Sequence, residues 1–185
     1  MFYTGVGSRE TPTNICNLMT SIAIYLRICL NLTLRSGGAI GADRAFEAGA
    51  GNLKEIYFKQ DATPESMAMA GKFHPVWNTL RKDGSPMVSD FAKKLHGRNV
   101  FQVLGRNLTT PSDFLICWTP DGCTTHATRK YETGGTGTAI SIASANAIPV
   151  HNLRNEATFN IWQKYIEESK EWVDLNLKLS QGVFK

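Results

Sequence analysis

A chain of 185 residues can bury a core of its own, and its 42% hydrophobic and 19% charged residues exclude a disordered or fibrous class. The 20 basic against 16 acidic side chains leave a net charge of +4, enough to tolerate an anionic ligand but not the basic stripe of a dedicated nucleic-acid binder. The four cysteines, Cys16, Cys29, Cys117 and Cys123, lack C-x-x-C spacing, and "MFYTGVGS" turns glycine-rich too early for a secretion signal. A soluble, cytoplasmic protein without disulfides or bound zinc is therefore expected.

The run "FYTGV" at 2–6 reads as a strand that opens into the turn "GSRETP". Thr11 before Pro12 has the pattern of a hydroxyl cap ahead of a first-turn proline. Ile15, Leu18, Met19, Ile22, Ala23 and Leu26 then recur at helical spacing to about Leu30. Asn17, Thr20, Ser21, Arg27 and Asn31 interrupt this stretch, so a membrane span is not expected. "LTLRS" predicts a second strand, Gly41 to Ala50 a helix and Lys54 to Phe58 a third strand.

Residues 60–86 hold three prolines and two glycines around a short helical piece near 65–71, and read as an insertion or lid. A helical pattern resumes over 87–104, and "DFLICW" at 113–118 has the short, continuous apolar character of a strand buried on both faces. After a polar loop come a helix from about Thr136 to Ala147, a fifth strand near "IPVHNL", and an amphipathic helix over 155–175. Strands alternating with helices predict a single domain over 1–185, an α/β Rossmann-like doubly wound fold with a mainly parallel sheet and helices on both faces, residues 155–185 forming a C-terminal helix and tail.

Three glycine-rich segments, "TGVGSRE", "SGGAIGAD" and "TGGTGTA", each follow a strand and lead toward a helix. In an open parallel sheet such turns fall in the crevice at the carboxyl ends of the strands. Glycine lets an anion approach backbone N–H groups, and a helix N-terminus offers unpaired ones. None of the three is a Walker A loop or a clean G-x-G-x-x-G.

In these motifs the chain resembles the SLOG superfamily of Rossmann-like proteins, which joins the LOG-type phosphoribohydrolases to the Smf/DprA DNA-processing proteins. Gly7-Ser8-Arg9 is similar to the G-S-R of the DNA-processing branch, and Ser36, Gly37, Ala39, Gly41 and Asp43 fit its S-G-x-A-x-G-x-D. "LHGRN" at 95–99 is similar both to the hydrolases' M-H-x-R-K and to the R-N-R of the DNA-processing proteins, and Gly134, Gly135, Gly137 and Thr138 fit the hydrolases' P-G-G-x-G-T-x-x-E. The match spans 2–152 apart from 60–86. Its departures are Thr133 for the leading proline, Ser141 for the final glutamate, and Val100 for the second arginine of the DNA-processing R-N-R.

The resemblance implies a ligand set of Gly7, Ser8, Arg9, Ser36, Gly37, Gly38, Asp43, Arg98, Asn99, Gly134, Gly135, Thr136, Gly137 and Thr138, with Trp118 added by its place at the end of the fourth strand. Trp118 reads either as a platform for a base or as a core cap, Asp43 as a ribose partner or a helix cap, and Asn99 as a phosphate or turn residue. The loop at 121–132 reads as a lid with Arg129 and Lys130 toward phosphate, or as solvated surface. His74, His96, His126 and His151 lack ligand spacing, so neither a metal nor a cofactor is expected.

Because serine supplies no carboxylate for glycosidic cleavage, the implied function is binding of a nucleotide or nucleotide-derived phosphate ligand without turnover. Among such proteins of bacteria and bacteriophages that means a sensor or a sequestering sponge of a signalling nucleotide, in defence or anti-defence, acting as a homo-oligomer. Two alternatives stand beside it. One is a nucleoside 5′-monophosphate phosphoribohydrolase using Arg98 with a displaced acid such as Glu132 or Asp43. The other is a DprA-like mediator that binds single-stranded DNA.

Overall fold

The computed structural model describes residues 1–180; the last five residues of the predicted tail lie outside them. The chain order is β1 (Phe2–Gly5), α1 (Thr13–Leu30), β2 (Thr33–Ser36), α2 (Ala42–Ala50), β3 (Lys54–Ile56), a short 3-10 turn (Lys59–Asp61), α3 (Pro64–Gly71), α4 (Asp90–Leu104), β4 (Phe114–Cys117), α5 (Thr136–Ala145), β5 (Val150–Asn152) and α6 (Glu156–Ser180). The five strands form one sheet in the order β3-β2-β1-β4-β5, with every pairing parallel. This is the doubly wound α/β architecture expected from the alternation of strands and helices.

Alternation along the strands assigns each residue to a face. Tyr3, Leu34 and Ile116 point to the side covered by α1, α2 and α6, where they join Met19, Ile22, Leu26, Phe46 and Trp162 in one core. Val6, Leu115 and Cys117 point to the other side, against Val100, Val103, Ile140 and Ile142 of α4 and α5. Burial on both faces explains why β4 reads as an unbroken apolar run rather than an alternating one. Polar ties lock α4 to the sheet: the Thr4 hydroxyl donates to the Gln102 carbonyl at 2.6 Å.

The start of α1 departs from its sequence pattern. Its cap position is Pro12, without a side-chain cap, and the Thr11 hydroxyl instead donates backward to the Ser8 carbonyl at 2.7 Å. The hydroxyl therefore closes the loop that follows β1 rather than the helix. Long and apolar enough to cross a membrane, α1 spends Ile15, Met19, Ile22, Ala23 and Leu26 on the core. On α6, Trp162 is buried and Phe159 and Ile166 pack beside it, whereas Ile161, Tyr165, Trp172 and Leu175 form an exposed apolar stripe.

Candidate functional site

In the strand order the direction of winding reverses between β1 and β4, which are neighbours. The crevice beyond the carboxyl ends of such a pair is where open parallel sheets bind ligands. The loop after β1 and the segment that opens α5 meet there, and α4 crosses beside them to form one wall of a cavity of about 370 Å³.

Two neighbouring residues of α4 tie the loops together. Arg98 donates through Nη1 to the Gly37 carbonyl at 2.5 Å and stands 3.6 Å from the Asp43 carboxylate. Asn99 donates to the Gly135 carbonyl at 3.1 Å. The helix is anchored upstream by Ser89, whose hydroxyl accepts from the Ala92 amide at 3.2 Å, a side-chain cap that the sequence pattern did not single out. One helix thus sets the spacing between the loop after β2 and the loop before α5.

Asp43 is buried near the start of α2, where its carboxylate accepts from the Ala39 amide at 3.3 Å. Burial pushes its pKa up to about 6, and Arg98 with the backbone amides of Ala39, Gly7 and Gly37 only partly opposes that rise. Burial likewise lowers the Arg98 guanidinium, against the pull of Asp43. Loss of water outweighs mutual attraction on both partners, so the pair costs solvation while it holds geometry.

The opening of α5 is braced from behind. The Thr133 hydroxyl donates to Asp121 at 2.5 Å and accepts from the Lys130 amide at 2.9 Å. Buried Asn152 of β5 holds the same loop by donating to Thr119 and to the Cys123 carbonyl. The Gly137 amide turns back to the Gly134 carbonyl at 3.2 Å and Thr138 to Gly135 at 3.4 Å, forming a tight first turn.

Of the predicted set, Gly7, Ser8, Arg9, Asp43, Arg98, Asn99, Gly134, Gly135 and Thr136 line this cavity. The remaining six do not, for identifiable reasons. Ser36 is fully buried and donates to the Gly5 carbonyl at 2.6 Å, bracing β2 against β1. Gly38, with φ +65°, faces Phe58 and Ile56. A Cβ on Gly37 would lie 2.3 Å from Gln102 Nε2 and 2.5 Å from Arg98 Cζ, so this glycine makes room for two side chains of α4.

Trp118 belongs to the core on the α1 and α6 side, two residues after Ile116 on the same face. Its ring therefore caps that core instead of offering a platform in the crevice. Gly137 faces Arg129, and buried Thr138 pairs with His96 Nδ1 at 2.9 Å. Ser141, at the hydrolases' glutamate position, is fully buried; its hydroxyl donates to the Gly137 carbonyl at 2.7 Å and lies 2.9 Å from His126 Nδ1.

The lining also includes polar residues outside the predicted set, among them Glu10, His96, Gln102 and Glu132. Gln102 stands one helical turn beyond Arg98, a spacing that places both on one face of α4. His96 is held neutral, its pKa lowered to about 4 by burial and then by His74, Arg129 and Arg98. Glu132, named earlier as a substitute acid, is exposed on the cavity wall.

A second cavity, of about 720 Å³, shares Gly134, Gly135 and His96 with the first. Arg129 lies in its wall, donating to the Phe73 carbonyl at 2.8 Å and to Thr138 Oγ1 at 3.5 Å. The predicted lid arginine thus braces the loop after α3 against α5. The segment 60–86 supplies another side of this cavity through Phe73, His74 and Val76. Among the described residues no cluster of three or more His, Cys, Asp or Glu has metal-holding geometry.

Together the sheet and the cleft define a Rossmann-like α/β domain with a cavity of mixed polar and apolar lining at its switch point. Comparison with family models, characterised proteins and solved structures gave no match to the chain.

Proposed function

We propose that this protein binds a nucleotide or nucleotide-derived phosphate ligand in the cavity between the loop after β1, α4 and the start of α5, and releases it unchanged. The observation that carries the reading is the convergence of Gly7-Ser8-Arg9, Arg98-Asn99 and Gly134-Gly135-Thr136 on one cavity at the switch point. Phosphate would take the first turn of α5, where the helix end is electropositive, with Arg9 and Arg98 adding charge. Asp43 and the nearby Glu10 favour the hydroxyl-bearing part of a ligand, since carboxylates accept from sugar hydroxyls.

Release without chemistry follows from position 141. In the hydrolases that the motif resembles this residue is a glutamate, whereas Ser141 is buried with its hydroxyl committed to Gly137. A protein of this kind would serve as a sensor or sponge of a signalling nucleotide. Titration calorimetry with mononucleotides, ADP-ribose and cyclic dinucleotides tests the binding, and silence toward every member of the panel would sink the reading.

One observation favours a second reading, phosphoribohydrolase activity. Glu132 lies on the cavity wall beside Gly134, near enough in the chain to act where position 141 does not. Release of free base and ribose 5-phosphate from AMP, lost in Glu132→Gln, would establish it. A homo-oligomer is supported by the apolar stripe of α6, and light scattering that reports a monomer at every concentration would remove that element.

A further inference from the structure

Gln102 is 1% exposed, lines the cavity, and has neither its Nε2 nor its Oε1 bonded to another group among the described residues. Arg98 Nε, one turn earlier on the same face, is likewise buried and unbonded. Burying an amide with both ends unpaired is costly, and native folds rarely leave such a group without a use. Nothing in the packing requires a glutamine here: its backbone carbonyl does the structural work by accepting from Thr4 and Ser112. The chain even makes room for the side chain, because position 37 lacks a Cβ that would lie 2.3 Å from Nε2.

We infer that Gln102 is the base-reading residue of the site, its carboxamide pairing with an edge of the ligand that presents a hydrogen-bond donor beside an acceptor. Every nucleobase carries such an edge, and glutamine meets adenine in this bidentate fashion in other settings. A sugar phosphate offers only rotatable hydroxyls in place of that fixed, planar edge. The inference rests on the nucleotide reading above, and assigns the phosphate to the start of α5 and the base to the α4 wall.

The test compares the tightest binder among AMP, GMP, CMP and UMP with ribose 5-phosphate, by calorimetry on the unaltered full chain and on Gln102→Met. Expected are a nucleotide preference of about 10- to 100-fold, the range of a buried hydrogen-bonding pair, its loss in Gln102→Met, and ribose 5-phosphate affinity within about twofold of the original. Removal of the unpaired amide should also raise the melting temperature of the ligand-free protein. Equal affinity for nucleotide and sugar phosphate, or an equal loss of both in the variant, overturns the base-reading role and leaves the binding reading standing. Failure of every mononucleotide and of ribose 5-phosphate to bind overturns both. Should Gln102→Met not fold, Gln102→Leu takes its place, and a nucleotide preference unchanged in it overturns the role.

Discussion

The two cavities that meet at Gly134, Gly135 and His96 are built from opposite charge patterns. In the first, the carboxylates of Glu10, Asp43 and Glu132 face the guanidiniums of Arg9 and Arg98. In the second, Lys72, Arg129 and Lys130 stand among apolar and imidazole side chains, and among the described residues no carboxylate lines the wall. Balanced charge suits a ligand with both hydroxyls and phosphate, because acceptors for one and donors for the other are present. An acid-free wall favours anions without discriminating among them. The contrast teaches that charge and buried unpaired groups need not coincide: the compartment with fewer net cations is the one lined by Gln102 and Arg98, which keep buried side-chain atoms without partners among the described residues.

The largest change is expected from Arg98→Ala. It removes a cavity cation and the tie to Gly37, so affinity for a nucleotide should fall by at least about 100-fold. Leaving Asp43 buried without its partner should lower stability by about 3 kcal/mol in urea denaturation. A variant that binds and unfolds like the original protein would separate the first cavity from ligand binding altogether.

Gly135→Ala sharpens the contrast between fold and site. The backbone there is at φ −64° and a Cβ would meet nothing within 4 Å, so a melting curve should be unchanged or slightly raised. Affinity should still drop by about tenfold if phosphate rests on that backbone. A methyl group tolerated by both the melting curve and the titration would move the phosphate elsewhere.

Proton uptake distinguishes the two walls next. Asp43, raised from 3.8 to about 6, contributes stability at low pH that is lost as pH climbs through that interval. His96, lowered from 6.5 to about 4, contributes stability above that range that is lost as pH falls. The slopes oppose each other. Relative to the unaltered protein, Asp43→Asn should make stability rise more steeply from about pH 4 to 6, and His96→Gln should make it fall; denaturation across that range reads both, and parallel curves would refute the assignment.

The smallest effect is expected from Lys130→Ala on the second cavity. Nucleotide affinity should stay within about twofold, as for an exposed charge outside the contact. A several-fold loss would mean that the ligand reaches across the glycine pair.

Much of the fold was legible because β1 and β4 are short, largely apolar runs bounded by turn residues and α1 repeats its apolar face at helical spacing. The register of the site was less so. "SGGAIGAD" brings Ala39 and Asp43 to the cavity wall but not its first three residues, since a motif records where glycine is needed and not what approaches it; at Gly37 the neighbours are Arg98 and Gln102. Trp118 was ambiguous at the strand end, although its two-residue spacing from Ile116 already placed both on one face. Gln102 gave no motif signal, because an isolated glutamine in a helix becomes informative only when its neighbours in space fail to pair with it.

The missing side chain at position 37 links residues far apart in sequence as a single unit of inheritance. A Cβ added there would meet both Gln102 and Arg98, so Gly37→Ala should be destabilising alone and only partly relieved by Gln102→Ser, because the Arg98 guanidinium would still stand 2.5 Å from it. Across related chains position 37 should gain a side chain only where positions 98 and 102 lose bulk, a covariation that would trace the packing of α4 against the loop after β2.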